Sequence, residues 1–130
     1  MIVDTSAIIA VMRDEPEAAE FADLMLAAES VRISAGTMLE LRIVATRYGE
    51  GAILDQLLAL FGAETVPVDG DQVELASDGF RRFGKGRHAA GLNYGDCFAY
   101  GLARSANEAL LFKGNDFALT DVVSARASSG

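Results

Sequence analysis

The sequence predicts an α/β fold, a central and mainly parallel sheet of four to five short strands flanked by helices. Short apolar runs alternate along the chain with longer stretches of helical period. Hydrophobic residues make up 51% of 130, enough to build a core in one domain of ordinary size. The single Cys97 excludes an internal disulfide framework and a multi-cysteine zinc site, so apolar packing has to hold the fold.

Each element has its own local reason. Met1–Thr5 reads as a short buried strand that runs into an acid, Asp4. Glu15–Ala28 reads as a helix with Pro16 near its first turn. Val31–Ser34 is a second strand, and Ala35–Tyr48 a helix with Gly49 as its stop. Glu50–Phe61 is helical, apolar at Ile53, Leu54, Leu57, Leu58 and Phe61. Glu64–Val68 is a strand, and Asp71–Phe83 a helix with Val73, Ala76 and Phe80 on one side. Tyr94–Asn107 is a helix expected to turn Cys97, Phe98, Gly101 and Leu102 inward. Ala109–Lys113 is a strand, and Val122–Ser124 a last short one. Residues 1–126 form one domain, and the polar stretch 127–130 reads as a flexible tail.

No apolar run approaches 18 residues and the start has no signal-peptide pattern, so the expectation is a cytoplasmic protein without membrane contact. A formal net charge of −8 argues against indiscriminate nucleic-acid binding. His88 is the only histidine, which excludes a two-histidine acid–base mechanism.

Parallel sheets place their sites at the carboxyl ends of the strands. Asp4 closes the first strand, Asp116 follows the strand at Leu110-Leu111-Phe112, and Asp96 sits in the first turn of a helix. Glu40 lies about one turn into the helix after the second strand, among apolar neighbours. Each acid alone has an ordinary explanation: a cap for Asp4, the helix dipole for Asp96, a turn for Asp116, a solvated face for Glu40. Convergent carboxylates repel and raise one another's pKa, a cost that a bound cation reverses. Oxygen ligands without histidine or cysteine favour Mg²⁺, with Mn²⁺ possible, over zinc.

These residues carry a resemblance. The strand into Asp4-Thr5-Ser6, then Glu40, then Asn93-Tyr94-Gly95-Asp96-Cys97-Phe98-Ala99-Tyr100, then Leu110-Leu111-Phe112-Lys113-Gly114-Asn115-Asp116-Phe117 resemble, in order and spacing, the four acidic motifs of PIN-domain ribonucleases of the VapC toxin type. The resemblance spans nearly the whole chain. It implies a PIN-like three-layer fold and a toxin of a type II toxin–antitoxin system that hydrolyses RNA through metal-activated water. Asp4, Glu40, Asp96 and Asp116 would be the catalytic quartet, with Asp4 and Asp96 as direct metal ligands. Thr5, Ser6 and Asn115 would orient carboxylates or water. The implied partners are a VapB-like antitoxin, an RNA substrate and a second copy of the chain. Leu24, Met25, Leu26, Met38, Leu41 and Val44 offer the apolar helical surface for protein partners, or simply form the core.

The stretch Arg81–His88 gathers positive charge in an acidic chain. Arg82, Lys85 and Arg87 are the expected RNA contacts, and Phe83 is expected in the core rather than on a base. Lys113 would pair with the acidic cluster or touch phosphate, and Asp121 is a reserve acid near Asp116. Two other classes compete. A phosphoacceptor receiver module would use Asp69 and Lys113, but it needs paired acids after the first strand, where only Asp4 stands. A non-catalytic PIN-like binding domain would have lost acids that are all present here.

Overall fold

The computed structural model describes residues 1–126. Along the chain run β1 (Ile2–Val3), α1 (Thr5–Met12), α2 (Ala18–Ala27), β2 (Arg32–Ser34), α3 (Ala35–Tyr48), α4 (Gly51–Phe61), β3 (Glu64–Val66), α5 (Gly70–Phe83), α6 (Tyr94–Ala106) and β4 (Leu110–Leu111). A 3-10 turn, Phe117–Leu119, follows. The strands form one parallel sheet in the order β3-β2-β1-β4.

The strands are shorter than the apolar runs that announce them. Backbone pairing continues past β1, with the Asp4 amide donating to the Leu111 carbonyl at 3.0 Å, but Asp4 then turns the chain by capping α1. The expected last strand is reduced to a parallel bridge between Leu110 and Ser124 at the sheet edge.

Alternation along such short strands builds two cores. Val3, Ile33 and Leu111 face one side, where they meet Ile8, Phe21, Met25, Leu41, Leu54 and Phe61 from α1 to α4. Ile2 and Leu110 face the other, against Leu92, Tyr100, Leu102 and Phe117. The result is three layers. Met25 and Leu41 belong to the first core, Leu24, Met38 and Val44 are half-buried, and Leu26 is exposed. Leu39 and Ile43 are also exposed on α3.

Helix α5 carries Val73, Ala76 and Phe80 on one side, as expected, but that side borders an open groove. The buried residues of α5 are Gln72 and Gly79, while Val73 and Phe80 are exposed. The reason is close helix packing: a Cβ on Gly79 would lie 2.3 Å from the Tyr100 ring, and one on Gly101 would lie 2.7 Å from the Gln72 carbonyl. Two glycines thus bring α5 and α6 together and rotate the larger apolar side chains outward. Cys97 and Phe98 are accordingly only half-buried. Together with Val73 and Phe80 they line an apolar groove between the two helices. Among the described residues, no helix is long and apolar enough to cross a membrane.

Candidate active site

Because all four strands are parallel, their carboxyl ends open on one edge, and the helices that start there bring their first turns to it. Asp4 leaves β1 and caps α1: its Oδ2 accepts from the Ser6 amide at 3.1 Å and from Ser6 Oγ at 2.7 Å. Ser6 Oγ in turn accepts from the Lys113 amide at 3.0 Å. One hydroxyl therefore ties Asp4 to the chain leaving β4. Asp4 is 5% exposed. Burial pushes its carboxyl above the ordinary value, against the Ser6 hydrogen bonds, and the Glu40 charge pushes it further.

Helix α3 begins at Ser34, whose Oγ caps Gly36, and carries Glu40 over the same edge. Thr5 Oγ1 donates to Glu40 Oε1 at 2.6 Å. On the other side of that carboxylate is Gly95, where a Cβ would lie only 2.6 Å from Glu40 Oε2. A residue larger than glycine would push into the place Glu40 occupies.

Asp96 is set by the start of α6. The Asn93 side chain accepts from the Asp96 amide at 2.9 Å, and Asp96 Oδ2 accepts from the Asn93 amide at 3.0 Å, a reciprocal capping box. Burial raises the Asp96 carboxyl to about 6, against the Asn93 hydrogen bond, and the charges of Asp4, Asp116 and Glu40 add to the rise. Asp96 thus lies within electrostatic reach of the other three acids, and Asp4 within reach of Glu40. Asp116 stands at the rim, exposed, at the start of the 3-10 turn.

None of these four acids belongs to an ion pair among the described residues, although acids elsewhere in the chain are paired. The donor set is oxygen only and leaves charge uncompensated, which suits a hard divalent cation. Among the described residues, no group of three acidic, cysteine or histidine side chains is placed to hold a metal ion by itself. An ion that keeps several waters does not need such a group.

The remaining expected residues separate. Thr5 and Ser6 are built into the cluster. Asn115 is exposed in the loop before Asp116. Lys113 Nζ turns away to Glu15 at 2.9 Å and Glu17 at 3.1 Å, so its acids are those of the α1–α2 connection and not the cluster. Arg82 pairs with Asp78 at 3.3 Å and Asp121 at 3.2 Å, whereas Lys85 and Arg87 are exposed in the segment after α5. Phe83 is partly buried against the second core, as expected. Asp121 stands apart from the quartet, held by Tyr100 and Arg104. Sequence reasoning missed the structural work of Asn93 and Gly95. The Asn-x-x-Asp spacing was a capping signal, but nothing local announced that Glu40 would reach Gly95.

The PIN domain family model matches residues 1–123. Ribonuclease VapC of Mycolicibacterium smegmatis is 48% identical over 126 residues, an alignment covering 94% of this chain and 97% of that protein. Ribonuclease VapC30 of Mycobacterium tuberculosis is 45% identical, with 94% of this chain and 95% of that protein covered. Ribonuclease VapC28 of the same species is 46% identical over the same shares.

Proposed function

The chain belongs to the PIN domain family, and on that premise we propose that it is the toxin of a toxin–antitoxin pair, an endoribonuclease dependent on Mg²⁺, with Mn²⁺ as the alternative ion. The observation that supports this most is the convergence of Asp4, Glu40, Asp96 and Asp116 from four separate segments without a cationic partner. Asp4 and Asp96 hold the ion, and Glu40 and Asp116 complete the site directly or through water. When bound, the ion supplies positive charge for the scissile phosphate and an acidified water. Thr5 and Ser6 fix the orientations of Glu40 and Asp4, and Asn115 hydrogen-bonds water or phosphate at the rim. Lys85 and Arg87 meet the RNA backbone, with Arg82 joining them only if RNA competes with its two acids.

A VapB-like antitoxin and a second copy of the chain are the proposed protein partners. Exposed Leu26, Leu39 and Ile43 supply apolar surface for them, and the setting is the cytoplasm. The receiver-type alternative loses support, because Asp69 is engaged in capping α5 and Lys113 pairs with Glu15 and Glu17.

The test is expression without a partner in bacterial cells, beside Asp4→Ala and Asp96→Asn forms, with mapping of new RNA 5′-phosphate ends. New ends with the wild type, absent with both variants, are expected. Wild-type protein that is folded and yields no new ends would point instead to a binding domain.

A further inference from the structure

Asp116 is the quartet member whose own side chain is least held. It lies exposed, and no side-chain hydrogen bond accompanies its cap of the 3-10 turn. Its position therefore depends on the segment that follows. Phe117 is buried, with its ring centroid 5.4 Å from that of Phe112. Thr120 Oγ1 donates to the Phe117 carbonyl at 2.7 Å. Asp121 then reaches across to the helices. Its Oδ1 accepts from Tyr100 Oη at 2.7 Å, and its Oδ2 receives Arg82 at 3.2 Å together with Arg104. Tyr100 is fully buried and lies four residues beyond Asp96 on α6, hence on the same helix face one turn later.

We infer that Asp121 is a positioning residue of the nuclease site: by clamping the segment of Asp116 to Tyr100 and Arg104 on α6, it fixes where Asp116 stands relative to Asp96. The inference rests on the reading of the four acids as one metal-binding site. The clamp has the character of a fixed support. Burial pushes Asp121 upward, but the Tyr100 hydrogen bond and the two guanidiniums outweigh it and hold the carboxyl below its ordinary value. The Tyr100 hydroxyl, pushed up to about 12 by burial and by Asp121, stays protonated and donates throughout the neutral range.

The test is a double-mutant cycle on the full chain with two readouts, Mn²⁺ affinity by calorimetry and the single-turnover rate of 5′-phosphate end formation in total bacterial RNA. The proteins are wild type, Asp121→Ala, Asp116→Ala and the double variant, with Asp121→Asn and Tyr100→Phe as milder changes in case Asp121→Ala does not fold. Asp121→Ala is expected to lower rate and Mn²⁺ affinity by roughly tenfold, the low end for outer-sphere partners. Asp121→Asn, which keeps an acceptor for Tyr100, should recover much of the rate. In the Asp116→Ala background the Asp121 change should cost almost nothing further, because its effect passes through Asp116. Additive losses, or unchanged rate and affinity in folded Asp121 variants, would overturn the inference alone. Wild-type protein that neither binds Mn²⁺ nor cuts RNA would overturn the nuclease reading and the inference with it.

Discussion

Two carboxylate sites meet α6 one turn apart, the four-acid cluster at Asp96 and the lone Asp121 at Tyr100, and they behave in opposite ways. Around Asp96, burial and like charge raise the carboxyl to about 6, and no cation among the described residues relieves it. At Asp121, which is more open to solvent and meets α6 at Tyr100, the Tyr100 hydrogen bond and the Arg104 and Arg82 charges outweigh desolvation and hold the carboxyl below its ordinary value. Burial alone does not make an acid functional. An acid paired with cations holds structure, whereas one desolvated beside other acids leaves a charge that a proton or a metal ion must balance.

The sharpest way to break this contrast is Asp96→Asn. The amide keeps an acceptor for the Asn93 cap but removes the charge. RNA cleavage should fall about 10³-fold, roughly 4 kcal/mol of transition-state stabilisation, while the metal-free protein melts no lower than wild type. A melting temperature that drops in step with activity would make Asp96 a structural acid like Asp121.

On the paired side, Gly79→Ala should act on stability. Its Cβ would meet the buried Tyr100 ring at 2.3 Å, and overpacking of this kind costs about 1–3 kcal/mol, measurable by urea denaturation. A neutral result would show that Tyr100 and its clamp can shift freely.

Gly95→Ala is the counterpart in the unpaired cluster. Here the obstructed atom is the end of the Glu40 side chain, which can swing out at the loss of its Thr5 bond. Cleavage should fall roughly tenfold, with a stability change within about 1 kcal/mol. Full activity would remove Glu40 from the site.

The smallest effect is on pH dependence without metal. Asp96 is raised in the folded state, so its contribution to stability is complete below the unfolded carboxylate range and is lost as pH rises through about 6. Asp96 is only partly buried, so after discounting for solvent screening the loss is on the order of 1 kcal/mol. Melts in chelator at pH 4.5 and 7.5 should show it as a difference between wild type and Asp96→Asn. Asp121, lowered in the folded state, contributes with the opposite sign: its stabilisation holds above the unfolded range and fades as pH falls through its folded value. An Asp121→Asn protein should therefore lose its disadvantage in acid.

The sequence by itself determined most of the elements and the candidate acids, though not the extent of α1 or the loss of the last strand. Ala35–Tyr48 was legible to the residue because both its ends carry local chemistry, the Ser34 cap and Gly49 in the left-handed region at φ +68°. The four acids were legible as candidates because parallel strands in alternation with helices have one functional edge, and as a set only because their order resembles the acidic motifs of PIN domains. What tertiary structure alone decided was pairing. Lys113 and Asp121 both stand near Asp116 in sequence, yet one is drawn to Glu15 and Glu17 and the other to Tyr100, Arg82 and Arg104. The outward turn of Val73 and Phe80 depends likewise on Gly79 and Gly101 meeting across two helices. Capping and periodicity act over three or four residues and can be read from a string. Which buried charge finds a partner depends on side chains brought together from distant segments, and only the packed chain settles that.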